Sequence, residues 1–118
     1  VSETARVSEA LVCATDPALF EAAGRGEAWD RVRVRAGMTR TWGDCYGYAL
    51  VATGRAEAML DPTLEAWDSA ALKPIVEEAG GVFTDWRGAR THLGGSAVAT
   101  NAGIASELRA ALEGSDAG

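Results

Sequence analysis

The chain has 118 residues, the length of one domain with a single core, and its 17 acidic and 11 basic side chains give a net charge of −6. This charge has the wrong sign for a surface that follows nucleic-acid phosphates or anionic lipid. No apolar run approaches the roughly 20 residues that cross a bilayer, and the first residues lack the pattern of a signal peptide. We therefore expect a cytoplasmic protein that binds neither nucleic acid nor membrane.

The residue types that often carry catalysis are sparse. Cys13 and Cys45 lie in apolar segments without C-x-x-C or His spacing, which indicates neither a disulfide framework nor a zinc site. Both are expected in the core, since free cysteine is often buried. The lone His92 lies in a glycine-rich loop, where we expect it to be exposed and without a role. No Ser-His-Asp or Cys-His pairing supports nucleophilic catalysis.

The first half of the chain alternates strand-like and helix-like segments. The apolar run "ALVCAT" predicts a buried strand, and the pair Asp16-Pro17 predicts the start of a helix over 17–23. The segment "AWDRVRVRAG" fits a strand and a helix, and we favour a helix that passes into a strand near "MTRTW". The apolar "GDCYGYALVATG" predicts a buried helix, with Gly43 before it and Gly54 as its end.

The second half continues the alternation. "RAEAML" predicts a strand, and "SAALKPIVEEAGG" has the apolar spacing of a helix that ends at Gly80-Gly81, although Pro74 removes one backbone donor. "VFTDW" and "SAVATN" predict two further strands. Asn101 is expected to cap a last helix.

Strands separated by helices predict an α/β domain over residues 1–113, followed by a polar tail over 114–118. The expected architecture is a three-layer sandwich, with a mixed, mostly parallel sheet between helices. Ligands of such sheets gather where strand ends meet helix N-termini. Two junctions of this kind stand out, over 42–45 and 61–68.

Three acidic residues lie at these junctions: Asp44, Asp61 and Asp68. Each has a structural explanation, because Asp44 and Asp68 fit helix starts and Asp61 fits the beginning of a turn. Asp68 also fits a ligand that holds Mg²⁺ against a phosphate. Three carboxylates at adjacent helix entrances repel one another unless a cation offsets their charge, and this favours a site.

Two further candidates leave alternatives open. Gly43 either lets a ligand approach the backbone closely or only permits a turn. Arg40 either contacts an anionic substrate or is a strand residue with its charge in solvent.

The stretch "WDSAALKPIVEEAGG" resembles the C-terminal signature of the inositol monophosphatase-like, Mg²⁺-dependent phosphatases. The resemblance extends back through "TRTWGDCYGYALVATGRAEAMLDP" and forward to "AVATNAGIASELRAAL", so it covers essentially the whole chain. It implies the fold of the C-terminal half of these enzymes and Asp68 as a ligand of Mg²⁺. It also implies that the following residues lie at or beside the substrate's leaving group: Gly43, Asp44, Cys45 and Asp61.

Within the family, "RTWGDCYGY" is similar to the histidinol-phosphatase branch, since inositol phosphatases more often carry a small or hydroxyl residue in place of Asp44. An added carboxylate suits histidinol phosphate, whose ammonium and imidazole groups are cationic. The resemblance implies hydrolysis of this phosphomonoester in histidine biosynthesis, with in-line attack by metal-activated water and Mg²⁺ at the leaving oxygen. The alternatives are an inositol- or fructose-phosphate phosphatase and a non-catalytic binding domain.

Members of the family also carry an N-terminal half with a Glu-rich metal site and an Asp-Pro-(Ile/Leu)-Asp-Gly-(Ser/Thr) motif. Neither motif occurs here, and the chain runs almost at once into a strand without an initiator Met. We therefore expect a domain of a longer enzyme that needs its N-terminal half for activity. The resemblance implies a homodimer for the full protein.

Overall fold

The computed structural model describes residues 1–41 and 45–114. Its strands are β1 (Leu11–Ala14), β2 (Met38–Thr41), β3 (Ala58–Asp61), β4 (Val82–Thr84) and β5 (Ala97–Thr100). Its α-helices are α1 (Ala18–Ala22), α2 (Gly26–Arg35), α3 (Tyr46–Ala52), α4 (Ala66–Glu78) and α5 (Ala105–Glu113). None of the described helices has both the length and the apolar character needed to cross a membrane.

The strands form one mixed sheet in the order β2-β1-β3-β5-β4. Strand β1 pairs in parallel with β2 and with β3, whereas β5 pairs antiparallel with β3 and with β4. Four strands therefore run in one direction and β5 runs against them. This arrangement confirms the mixed, mostly parallel sheet expected from the sequence.

Helices cover both faces of the sheet and enclose two separate cores. The first core contains residues of α1, α2 and α5, among them Phe20, Val32 and Leu108. The second contains residues of α3 and α4, among them Val51 and Val76. Because successive side chains of a strand point to opposite faces, a single strand contributes to both cores. The three-layer arrangement is as predicted.

The two glycines that follow α4 have different structural roles. Gly80 has a φ of +90°, a left-handed conformation that glycine adopts without strain, and it turns the chain out of the helix. The amide of Gly81 donates to the carbonyl oxygen of Val76 at 2.9 Å. A side chain at position 81 would collide with β5, because a Cβ atom there would lie 2.7 Å from the carbonyl oxygen of Thr100.

The prediction that Asn101 caps the last helix is wrong in position, since α5 begins at Ala105 and follows Ile104 as its N-cap residue. The side chain of Asn101 is fully buried and fixes the preceding turn, with Oδ1 accepting from the amide of Ile104 at 3.1 Å. Its Nδ2 donates to the carbonyl oxygen of Thr4 at 2.8 Å and also reaches Ser2. Asn101 therefore joins the first residues of the chain to the entrance of α5.

Two burial predictions are also wrong. Cys13 lies in the second core as expected, but Cys45 is exposed because it precedes the first turn of α3 at the surface. His92 is partly buried rather than exposed.

Candidate active site

A cavity of about 380 Å³ opens at the carboxyl ends of the parallel strands β1 and β3, beside the N-termini of α3 and α4. This is the edge at which sheets of this class bind ligands. The cavity contains two carboxylates, two threonine hydroxyls, a phenol and a thiol on an otherwise apolar wall. Its lining residues are Thr15, Leu19, Cys45, Tyr48, Asp61, Thr63, Leu64, Asp68 and Leu72.

Asp61 is the last residue of β3, and only 4% of its surface is exposed. Both carboxylate oxygens accept hydrogen bonds from hydroxyl groups. The phenol of Tyr48, on α3, donates to Oδ2, and Thr15 Oγ1, just after β1, donates to Oδ1 at 3.0 Å. The main-chain oxygen of Asp61 accepts from Trp86 Nε1 at 2.9 Å. The residue is thus held by groups from three different parts of the chain.

The surroundings of Asp61 shift the pKa of its carboxyl in opposite directions. Burial raises the pKa of the Asp61 carboxyl, and the nearby charge of Asp68 raises it further. The hydrogen bonds from Tyr48 and Thr15 lower this pKa but do not cancel the effect of burial. Burial, followed by the negative charge of Asp61, raises the pKa of the Tyr48 phenol far above its usual range. Tyr48 therefore remains a protonated donor.

Asp68 is the third residue of α4 and does not cap the helix, whose N-cap position is occupied by Glu65. The capping explanation for Asp68 is therefore wrong. Its side chain is partly exposed and lines the cavity, and no hydrogen bond within the described part of the chain engages its carboxylate. A carboxylate at the first turn of a helix is stabilised by the helix dipole, and this one is open to a ligand.

These residues can supply part of a metal site. Carboxylate oxygens are the ligands that Mg²⁺ prefers, and Asp68 offers a carboxylate that no donor among the described residues occupies. Asp61 is less suited, because hydroxyl donors already hold both of its oxygens. Across residues 1–41 and 45–114, no three His, Cys, Asp or Glu side chains are arranged to hold a metal ion. The described residues thus fit one ligand of a hard cation, and the others would have to come from elsewhere.

The other candidates from the sequence lie in different places. Cys45 lines the same cavity as Asp61 and Asp68. Arg40 lines a separate open cleft of about 620 Å³ between β2 and the helices α1 and α2, and its Nη1 donates to the carbonyl oxygen of Thr39 at 2.9 Å. The structure therefore does not bring Arg40 together with the two carboxylates. Gly43 and Asp44 lie outside the described residues.

Sequence reasoning missed Thr15 and Tyr48. Tyr48 lies in "RTWGDCYGY", but that resemblance indicated only the residues over 43–45, and Thr15 belongs to no recognisable motif. The two residues are 13 and 46 positions from Asp61, so no local spacing pairs them with it. The one available signal was Asp61 itself, since an acidic residue at the end of a fully apolar strand requires hydrogen-bond donors when it is buried.

Comparisons with known proteins agree with this fold. The sequence model of the Inositol monophosphatase family matches residues 2–115. The chain is 48% identical over 84 residues to a histidinol-phosphatase of Chlorobaculum parvum, covering 70% of the chain and 32% of that protein. It is 33% identical over 108 residues to a histidinol-phosphatase of Streptomyces coelicolor, covering 92% of the chain and 41% of that protein.

Among solved structures, an inositol monophosphatase from Zymomonas mobilis superposes with a TM-score of 0.84 at 32% identity, over 96% of this chain and 45% of that one. The chain thus spans less than half the length of each of these three proteins. The match of the family's sequence model to nearly every residue shows that the chain belongs to the inositol monophosphatase family.

Proposed function

We propose that this chain forms part of a Mg²⁺-dependent phosphomonoesterase that hydrolyses histidinol phosphate in histidine biosynthesis. The observation that carries the proposal is the cavity in which the open carboxylate of Asp68 lies near the buried carboxylate of Asp61. One carboxylate is available to a metal and the other is held by hydroxyl groups. The two histidinol-phosphatases described above support the choice of substrate.

In this proposal, the described residues bind and orient. Asp68 holds one Mg²⁺, an ion that would activate water and offset charge on the leaving oxygen when bound. Asp61 accepts hydrogen bonds from the alcohol that leaves, and its negative charge suits the ammonium and imidazole of histidinol. We further propose that Cys45, which lines the cavity, acts on this leaving group together with Gly43 and Asp44, which precede it in the sequence, and that Asp44 would add a second negative charge.

The remaining metal ligands and the residues that position the attacking water would come from an N-terminal half of the same protein. Two observations support this partner: the chain spans 32% to 45% of the compared proteins, and its described residues offer no complete metal site. Dimerisation of the full protein and its localisation in the cytoplasm stay predictions from the sequence.

A second candidate is hydrolysis of an inositol monophosphate. The solved structure described above, at 32% identity, is an inositol monophosphatase, and its fold covers 96% of this chain. The two candidates differ in the charge of the leaving group, which is cationic in histidinol and neutral in inositol.

The test begins with the intact mass of the protein as its own host produces it, to define the full polypeptide. Phosphate release by that polypeptide is then measured with histidinol phosphate, inositol 1-phosphate and fructose 1,6-bisphosphate, with Mg²⁺ and with EDTA. We expect the highest kcat/KM for histidinol phosphate and no turnover in EDTA. A preference for inositol phosphate would favour the second candidate, and no release from any of the three would overturn the proposal.

The role of Asp68 is tested in the same assay. Asp68→Asn keeps the size of the side chain but removes the charge that binds Mg²⁺, so we expect a severe loss of kcat that higher Mg²⁺ restores in part. Glu65→Gln is the matched control, since it removes an exposed charge from the same helix entrance. Equal activity of the two variants would contradict the assignment of Asp68.

A further inference from the structure

Three side chains from separate segments meet at the inner wall of the cavity. The phenol of Tyr48, 1% exposed, donates to one oxygen of Asp61, and the hydroxyl of Thr15 donates to the other. All three also line the cavity. The carboxylate is therefore held from within the protein and remains accessible to a ligand.

This arrangement fixes where the lone pairs of Asp61 can point. A carboxylate has about four acceptor positions, and the two hydroxyl groups occupy one on each oxygen. No other donor among the described residues engages this carboxylate, which lines the cavity. Because both internal donors are neutral, they leave the negative charge of Asp61 in place, and by holding one oxygen each they restrict rotation of the carboxylate.

We propose that Tyr48 and Thr15 are positioning residues that hold Asp61 towards the substrate's leaving group, so that they determine how strongly a leaving group with hydrogen-bond donors is bound. This inference rests on the proposed function. In this inference, neither Tyr48 nor Thr15 contacts the phosphorus or the attacking water. Their effect is therefore on binding of the leaving alcohol.

A purely structural role for Tyr48 would give a different result. A general loosening of the fold weakens turnover of every phosphomonoester alike. Misplacement of Asp61 weakens the binding of only those substrates whose leaving group donates a hydrogen bond to it. p-Nitrophenyl phosphate is a suitable reference, because its leaving group carries no hydrogen-bond donor.

The experiment compares Tyr48→Phe with the wild type in the full-length protein. Tyr46→Phe is the matched control, because Tyr46 lies on the same helix and half of its surface is exposed. We expect Tyr48→Phe to raise KM for histidinol phosphate roughly tenfold with little change in kcat, which is the effect of a lost hydrogen bond to a charged group. Both constants for p-nitrophenyl phosphate should stay at the wild-type level.

A second readout does not depend on turnover. Calorimetric titration with histidinol alone, in EDTA, measures binding of the leaving alcohol without phosphate or metal. We expect the Kd of histidinol to rise roughly tenfold in Tyr48→Phe, because the hydrogen bond to the charged Asp61 is lost. In Tyr46→Phe this Kd should stay unchanged. An unchanged Kd together with an unchanged KM would overturn the inference.

Thr15 provides an independent pair of variants if Tyr48→Phe does not fold. Thr15→Val removes the donor at constant size, whereas Thr15→Ser retains it. We expect Thr15→Val to raise KM for histidinol phosphate, whereas Thr15→Ser should keep KM near the wild-type value. Equal KM values for these two variants would contradict the inference.

The outcomes separate this inference from the proposed function. If the wild type hydrolyses histidinol phosphate and Tyr48→Phe has both the wild-type KM for it and the wild-type Kd for histidinol, the positioning role fails alone. If the wild type releases phosphate from neither substrate, the proposed function fails and the inference fails with it.

Discussion

Gly81 packs directly against the backbone of Thr100, so that a Cβ atom on residue 81 would lie 2.7 Å from the Thr100 carbonyl oxygen. Thr100 belongs to β5 and is paired on both sides, with Val82 and with Ala58, so its backbone cannot yield easily. We expect Gly81→Ala to lower the free energy of unfolding by about 1–3 kcal/mol, the usual cost of overpacking. Urea denaturation measures this difference.

The control for this prediction is Gly26→Ala, in the first turn of α2. A Cβ atom there would first meet the carboxylate of Glu21, at 3.1 Å, and that flexible side chain can move away. We expect the stability of Gly26→Ala to stay near that of the wild type. Equal losses for the two variants would show that contact with the β5 backbone is not the cause.

Tyr48 should make the fold sensitive to alkaline pH. Its pKa is raised above the ordinary value of 10.0, chiefly by burial, so the unfolded chain releases this proton at a lower pH than the folded protein does. The stabilising contribution is complete below pH 10.0 and is lost as the pH rises above it. The loss is at most about 1.4 kcal/mol per pH unit.

Unfolding by urea at a series of pH values from 8 to 11 tests this dependence. We expect the free energy of unfolding of Tyr48→Phe to fall less steeply with pH than that of the wild type, although its value at neutral pH is lower. Parallel slopes for Tyr48→Phe and the wild type would rule out Tyr48 as the group responsible.

Asn101 should be the residue that secures the first residues of the chain. Asn101→Ala leaves the buried amide of Ile104 and the carbonyl oxygen of Thr4 without their partners. An unsatisfied buried group costs about 1–3 kcal/mol, and we expect a loss of stability in that range. Hydrogen exchange should also accelerate over residues 1–6. In Ser2→Ala, which removes only one acceptor, both effects should be small, and an equal effect would argue against Asn101 as the anchor.

Asp44 should distinguish a cationic leaving group from a neutral one. We expect Asp44→Asn to raise KM for histidinol phosphate roughly tenfold, as for a lost hydrogen bond to a charged group, and to change KM for inositol phosphate far less. Steady-state kinetics on the full-length protein measure both values. Asp30→Asn, at an exposed position on α2, controls for the change in net charge. Equal effects of Asp44→Asn on both substrates would contradict this role.

Most of the fold was predictable because its signals are local. The apolar run before Asp16 predicted β1, and Gly54 and Gly80 marked the ends of α3 and α4 by the left-handed conformation that they adopt. The ambiguous "AWDRVRVRAG" is helical, as favoured, because Trp29 and Val32 reach the first core while Arg33 and Arg35 are exposed.

The errors concern side chains whose surroundings depend on distant residues. Cys45 follows an apolar pattern but lies at a helix entrance, where the chain reaches the surface. Asn101 resembles a cap, yet its amide group binds the first residues of the chain, which no local pattern indicates. The hydrogen bonds from Thr15 and Tyr48 to Asp61 also arise only when β1, α3 and β3 have assembled.

The candidate site was predictable in part. Asp61, Asp68 and Cys45 line one cavity, because the carboxyl ends of parallel strands and the helices that follow meet at one edge of the sheet. Arg40 lies in another cleft, since its strand is at the far edge of the sheet, next to α1 and α2. The tilt and position of the helices determine which residues share a cavity, and local sequence patterns do not predict them.

The strand order also has a consequence for folding kinetics. The β4–β5 pair, in which Thr84 meets Val98, closes a short loop, whereas pairing Val12 with Ala58 requires a much longer stretch of chain to close. Ladders between distant segments form slowly, because the entropy of loop closure is lost before their contacts are gained. We therefore expect the β4–β5 hairpin to form early and the β1–β3 ladder to limit the folding rate. The wall that carries Thr15 and Asp61 would then be completed only in that late step.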